Sequence, residues 1–119
     1  LYPPLPMDGH AGVQETSLEL YVIGSLVDMS KAENPIVTLP PEVLRLQEIA
    51  KTDPIFEDVW FSMLWRPLET GKKTSTREMT NTGSLTLADI KTSAAERGRA
   101  EVESFVSAAV QFIEKWRKK

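Results

Sequence analysis

The chain has 119 residues, of which 41% are hydrophobic and 26% charged, a composition that suits one globular domain and argues against global disorder. The net charge of −3 gives no indication of nucleic-acid binding, and the absence of cysteine excludes disulfides and thiolate metal sites. No window approaches the ~18 consecutive apolar residues of a membrane span, and we expect a cytoplasmic protein.

The first segment of the chain is rich in proline and glycine: it reads LYPPLPMDGHAG. Because proline lacks an amide donor and restricts the residue before it, this stretch predicts neither a helix nor a central strand. We interpret residues 1–14 as an active-site loop that ends in a glycine-flanked turn. The chain opens on leucine within a proline-rich stretch, which is typical of a loop that has been cut, and we expect a piece of a larger protein.

Three segments show the three- and four-residue apolar spacing of amphipathic helices, and we predict helices over 15–27, near 41–51 and over 91–117. The last begins with the pattern Ser93-Ala-Ala-Glu96, which predicts a capping box. One face of this helix is apolar along its length: Val102, Phe105, Val106, Ala109, Val110, Ile113 and Trp116. No convincing strands accompany these helices, so the sequence predicts that a sheet supplied by another segment covers this face.

The segment 30–90 is the least regular, and we interpret it as a variable insert that contains the helix near 41–51. Its most apolar stretch is the cluster from Trp60 to Trp65. We expect this cluster to lie in a core or a subunit interface. An aromatic lid over a ring-shaped substrate is the alternative.

The decapeptide DGHAGVQETS, residues 8–17, contains the only histidine of the chain. An imidazole can give or take a proton near neutral pH, which suits His10 to general acid or base catalysis. Gly9 and Gly12 allow close approach to a ligand and positive φ angles. Glu15 could orient the imidazole, bind a metal ion or accept a hydrogen bond from a substrate. By spacing alone, the decapeptide is more typical of a helix N-terminus with an incidental histidine in the preceding turn.

Two motifs resemble the creatininase family of metal-dependent amidohydrolases. HAGVQETSLELY resembles its signature His-Ala-Gly-x-x-Glu-Thr-Ser-x-x-Leu. The segment GSLTLADIKTSAAERGRAEVESFVSAAVQFIEKW resembles the closing part of the family, in which a small-residue helix start with a glutamate and a glycine opens a long amphipathic helix. Glu96 and Gly98 match that start.

The resemblance implies a three-layer α/β/α fold, of which this chain supplies the C-terminal, mainly helical part. It also implies two divalent metal ions, zinc or manganese, which activate water for attack on a carbonyl of a small cyclic substrate. His10 matches the family's proton shuttle, and Glu15 matches a glutamate with a supporting catalytic role. By their position next to the histidine, Asp8, Gly9 and Gly12 are predicted to bind the substrate.

The family's metal ligands, an acid-x-His pair, a further aspartate and a His-x-Glu element, have no counterpart here, so we expect no metal ligand in this chain. The chain alone is predicted to be inactive, with an N-terminal segment of the same protein as its partner and a homo-oligomer, a hexamer, as the assembly. Neither nucleic acid nor a membrane is expected as a partner. Pro6, Met7 and Asp8 stand where creatinine-hydrolysing members have a tryptophan, which argues against creatinine as the substrate. The alternative is a non-catalytic helical interaction module that binds through its apolar helix.

Overall fold

A computed structural model of the chain describes residues 2, 5–39, 41–53, 55–56 and 79–119. The chain divides into two compact units, one built from Leu1–Asn34 with Thr86–Lys119 and the other from Pro35–Leu85. The apolar cluster from Trp60 to Trp65 lies outside the described residues, so the prediction of an interface or a lid there stays a prediction.

The regular structure of the described residues consists mainly of the α-helices α1 (Val13–Ile23), α2 (Pro41–Ala50) and α3 (Ala95–Trp116). They overlap the three segments whose apolar spacing predicts helices, and the prediction of a mainly helical chain is confirmed in this part. Single turns of 3-10 helix extend or precede them: Gly24–Leu26, Met29–Lys31 and Ile90–Thr92. In the described ranges, extended backbone pairs only in two isolated antiparallel bridges. None of the helices described here is long and apolar enough to cross a lipid bilayer.

Helix α1 packs against the first turns of α3, and the two backbones meet at Ser17 and Gly98. Both residues are buried. A Cβ atom added to Gly98 would overlap the Ser17 carbonyl group and would lie 2.9 Å from the Cα atom of Leu18. The absence of a side chain at Gly98 therefore sets how closely the two helices approach.

The capping box predicted at the start of α3 is wrong. The N-cap residue is Ala94, and the Ser93 hydroxyl instead donates a hydrogen bond to the Ile90 carbonyl over 2.6 Å. The hydroxyl is taken by the preceding 3-10 turn, so it does not reach a first-turn amide of the helix. The Ala94 amide donates to the Ser17 hydroxyl of α1 over 3.1 Å. This bond fixes the start of α3 to α1, while no side chain caps the first turn of α3.

Beyond its first two turns, α3 is exposed: from Glu103 to Trp116, every residue except the half-buried Glu114 is open to solvent. The large apolar side chains on this stretch are 52–77% exposed: Phe105, Val106, Val110, Phe112, Ile113 and Trp116. The rings of Phe112 and Trp116 stack on each other with centroids 6.0 Å apart. No described residue of the chain covers this face, and the sheet predicted to cover it stays a prediction.

The side chain of Asn34 connects the end of the first segment to the turn that precedes α3. Its Nδ2 group donates to Asp89 over 2.9 Å, and its Oδ1 atom accepts from the Ile90 amide over 2.8 Å. The hydrogen bond from Asn34, together with one from the Lys91 amide, holds the pKa of Asp89 below its usual value. These bonds fix the 3-10 turn that leads into α3.

In the second unit, the backbone at Val37 pairs with Thr80 in an antiparallel bridge, and the Thr38 amide donates to the Met79 carbonyl over 2.7 Å. Gly83 has a φ of +89°, in the left-handed region that favours glycine, and its amide donates to the Thr80 hydroxyl over 2.9 Å. Among the described residues of this unit, the buried apolar side chains are Leu39, Val43, Met79 and Leu85. The pairing brings the two ends of this unit together.

Candidate active site

The carboxylate of Asp8 caps the N-terminus of α1 in place of the N-cap residue, Gly12, which has no side chain. Asp8 Oδ1 accepts a hydrogen bond from the Val13 amide over 2.8 Å, and Oδ2 accepts one from the Gln14 amide over 2.7 Å. These amides belong to the first helical turn and have no partner within the helix. The negative charge also faces the positive end of the helix dipole, which stabilises it there.

A second segment of the chain holds the same carboxylate. Thr86 is 1% exposed, and its hydroxyl donates to Asp8 Oδ1 over 2.5 Å. The two residues also form an isolated antiparallel bridge, and the Leu87 amide donates to the Met7 carbonyl over 2.8 Å. The loop before α1 is therefore tied to the segment that leads to α3, although Asp8 and Thr86 are 78 positions apart.

Gly9 and Gly12 do not adopt the positive φ angles that the sequence predicts for them. Gly12 has a φ of −87°, and the left-handed region is occupied by Ala11, with a φ of 50°, rather than by Gly9 or Gly12. A Cβ atom at Gly12 would lie 2.7 Å from the carboxyl carbon of Asp8, which is closer than real Cβ contacts. Gly12 thus provides the close approach that the sequence predicts, but the group that approaches is the capping carboxylate.

His10 lies at the surface of this turn, next to Glu15. Its Nδ1 atom is 3.9 Å from Glu15 Oε2, and the two side chains are 59% and 56% exposed. The same Oε2 atom accepts a hydrogen bond from the Ala11 amide over 2.5 Å, so the carboxylate is anchored to the backbone beside the imidazole. The imidazole is therefore open to a bound molecule, and an oriented negative charge flanks one of its nitrogens.

The loop turn before α1 and the first turn of α1 contain all the residues that the sequence predicts for the site: Asp8, Gly9, His10, Gly12 and Glu15. Both Asp8 oxygens are engaged within the chain. Its predicted contact with a substrate, like those of the two glycines, stays a prediction. His10 and Glu15 lie next to each other, and the orienting role of the glutamate stays a prediction.

Sequence analysis missed Thr86 and Ser17, two polar residues that connect the turn and α1 to the C-terminal segment. Ser17 is a serine on the inward face of an amphipathic helix, and its burial could have indicated a partner for its hydroxyl. Thr86 has no comparable signal, because its role depends on a carboxylate far away in the sequence.

The described residues do not fit a metal centre. Among them, no group of three or more histidine, cysteine, aspartate or glutamate side chains could hold a metal ion. The two divalent ions that the creatininase resemblance implies would therefore need ligands other than the residues described here.

In comparisons with known proteins, no family model, no curated protein and no solved structure matches the chain. The resemblance to the creatininase family consequently depends on the two sequence motifs. The structure adds the spatial relation of the segments that carry them.

Replacing Asp8 with alanine should lower the free energy of unfolding by about 1–3 kcal/mol, because two helix amides and one buried hydroxyl lose a charged partner. Chemical denaturation followed by circular dichroism measures the loss. Asp28→Ala is the matched control, since that carboxylate caps an exposed 3-10 turn and its partners, the amide and hydroxyl of Ser30 and the ammonium group of Lys31, all lie within three residues. We expect a smaller loss there, because the interactions of that carboxylate are screened by solvent. Equal losses in the two variants would contradict the capping role of Asp8.

Proposed function

We propose that the chain is the C-terminal portion of a creatininase-type hydrolase, in which the turn from Asp8 to Gly12 lines the active site. In this proposal an N-terminal segment of the same protein supplies the sheet of a three-layer α/β/α fold. The substrate is a small cyclic amide or a related ring, and the assembly is a cytoplasmic homo-oligomer, a hexamer by analogy with the family.

The observation that carries the proposal is the contact between the two motif-bearing segments. Ser17 belongs to the first motif, and Gly98 belongs to the second; their backbones meet where α1 packs on α3. Thr86, also in the second motif, donates to Asp8, two residues before the histidine. A chance likeness in two separate stretches would not require them to pack together around the same turn.

The chemistry assigned to this chain is a proton transfer at the His10 imidazole. Hydrolysis of a cyclic amide adds water across the C–N bond, and the departing nitrogen must receive a proton. Because Nδ1 is the nitrogen that faces Glu15, we assign the transfer to Nε2. The exposed position of the ring leaves room for a substrate, and the Glu15 carboxylate beside Nδ1 is anchored by the Ala11 amide.

Metal ions enter the proposal as groups held mainly by residues outside this chain, and the described residues contain no group of three or more potential ligands. The resemblance implies two divalent ions, zinc or manganese. What this chain supplies is the proton carrier, the loop that carries it and the helix against which the loop is fixed.

A non-catalytic interaction module is the second candidate, and the exposed apolar face of α3 favours it. Phe105 and Trp116 are 77% and 69% exposed on that face, which suits the binding of another polypeptide. The two candidates differ in what lies upstream of this sequence. The hydrolase requires an acid-x-His pair and a His-x-Glu element encoded there, whereas the module requires neither.

Expressed alone, residues 1–119 should aggregate or associate, because the apolar face of α3 has no cover from the described residues. Co-expression with the upstream segment should yield a complex that unfolds cooperatively and hydrolyses a cyclic amide. Light scattering measures the association of residues 1–119 alone, and thermal denaturation measures the cooperativity of unfolding of the complex. Activity assays with a panel of cyclic amides measure the hydrolysis. If residues 1–119 alone form a soluble monomer that unfolds cooperatively, the need for an N-terminal partner is refuted.

A further inference from the structure

The turn that carries His10 contains a strained residue that must be held in place. Ala11 has a φ of 50°, in a region that residues with a Cβ atom seldom occupy. The Ala11 amide is bonded to Glu15, and the next two amides of the chain after Gly12 are bonded to Asp8. All these bonds lie within one short stretch, so by themselves they fix the turn only relative to α1.

The Thr86 hydroxyl is the side-chain contact that connects this capping carboxylate to a distant part of the chain. Its Oγ1 atom accepts a hydrogen bond from the Ala88 amide over 3.0 Å and donates to Asp8 Oδ1 over 2.5 Å. The Met7 carbonyl lies 3.4 Å from the same oxygen, which makes it the weaker of the two acceptors. The donation from Ala88 leaves the hydroxyl proton free to point at Asp8, in a place that is 1% exposed.

We propose that Thr86 is a positioning residue: acting through Asp8, its hydroxyl holds the turn that carries His10 in the conformation from which the imidazole exchanges its proton. Removal of the hydroxyl leaves the Asp8 carboxylate bonded to α1 alone, and the loop then meets the segment that leads to α3 only through its backbone pairing at Met7 and Asp8. The consequence for catalysis rests on the proposed function, whereas the consequence for the conformation of the turn does not.

Three variants separate the hydroxyl from the rest of the side chain. Thr86→Val keeps the shape and removes both hydrogen bonds. Thr86→Ser keeps the hydroxyl and removes only a methyl group. Thr82→Val is the matched control, because Thr82 also uses its hydroxyl in a short hydrogen bond, 2.8 Å from the Ser84 hydroxyl, in the other compact unit.

The conformation of the turn can be read by NMR with only this chain isotopically labelled and the upstream segment, where it is required for assembly, left unlabelled. Since the chain has one histidine, its imidazole signal needs no further assignment. In Thr86→Val, we expect amide hydrogen exchange at Val13 and Gln14 to accelerate about 10- to 100-fold, as for the loss of a charge-assisted hydrogen bond. The imidazole signal should shift and broaden. In Thr86→Ser and Thr82→Val, the amide exchange rates at Val13 and Gln14 should remain within about twofold of those in the wild type, because both variants keep the hydrogen bonds at Asp8.

Two results would overturn the proposal. One is an unchanged imidazole signal in Thr86→Val; the other is accelerated exchange spread evenly over α1 and α3, which would indicate general destabilisation. If Thr86→Val does not fold, Thr86→Ser decides the question. A normal imidazole signal in that variant assigns the role to the hydroxyl, and a disturbed one assigns it to the methyl group and refutes the proposal.

Kinetics of the assembled protein test the catalytic consequence. Thr86→Val should lower kcat about tenfold and change KM less than about twofold, because the substrate still binds but the proton carrier is misplaced. Thr86→Ser should restore kcat. Equal kcat values for Thr86→Val and the wild type would refute the catalytic consequence. A wild-type assembly that hydrolyses no cyclic amide would refute the proposed function, while the NMR comparison would still decide the role of Thr86 in the turn.

Discussion

Replacing His10 with alanine in the assembled protein should reduce turnover by about 10²–10⁴-fold, which is the usual contribution of a positioned acid–base group. The fold and the metal content should not change, because the imidazole is 59% exposed and makes no contact shorter than 3.9 Å with Glu15. Steady-state kinetics, circular dichroism and metal analysis measure the three quantities. Added imidazole should restore part of the turnover, since the vacated position is open to solvent.

Glu15→Gln is the matched control for this result. The amide oxygen of glutamine can still accept the hydrogen bond from the Ala11 amide, so the turn should keep its shape while the negative charge beside the imidazole is lost. We expect a smaller reduction in turnover than in His10→Ala. Near-wild-type turnover of His10→Ala would show that the histidine carries no proton in the reaction. Loss of both metal ions would instead make His10 a ligand.

Gly98→Ala should lower the free energy of unfolding by about 3 kcal/mol through overpacking. In the interior of an isolated helix, the same change would stabilise the helix by about 1 kcal/mol, because alanine has a higher helix propensity than glycine. Here the added methyl group would overlap the Ser17 carbonyl group and lie 2.9 Å from the Leu18 Cα atom, both of which belong to the backbone of α1. The helices can accept it only by moving apart.

Gly24→Ala is the control for Gly98→Ala, because nothing lies within 4 Å of a Cβ atom at Gly24, whose φ of −51° suits alanine. We expect this change to be neutral or to stabilise by up to about 1 kcal/mol. Urea denaturation at one fixed protein concentration compares the two variants. If Gly98→Ala is as stable as the wild type, α1 and α3 do not make the backbone contact described above.

The helices were predictable because their signals are local. The apolar spacing in α1 and α3 repeats every three or four residues, and the prolines near residue 40 are typical of a helix start, so each segment indicates its own structure. The grouping of His10 and Glu15 was predictable for the same reason, since five positions across a turn and the first helical turn leave them few ways to separate.

The tertiary structure decided which groups form hydrogen bonds with the backbone of the turn and of the helix ends. Asp8 reads in the sequence as a polar neighbour of His10; only the fold shows that it caps α1 and is held by Thr86. The Ser93 pattern predicts a cap that does not form, the Ala94 amide bonds to Ser17 of α1, and Gly98 has a role only because another backbone lies against it. Periodicity and capping patterns report on neighbours within about one helical turn, whereas the hydrogen bonds of Thr86 to Asp8 and of Ala94 to Ser17 join residues 78 and 77 positions apart. A hydrogen bond between such distant residues depends on the packing of α1 against the start of α3, and no local pattern encodes that packing.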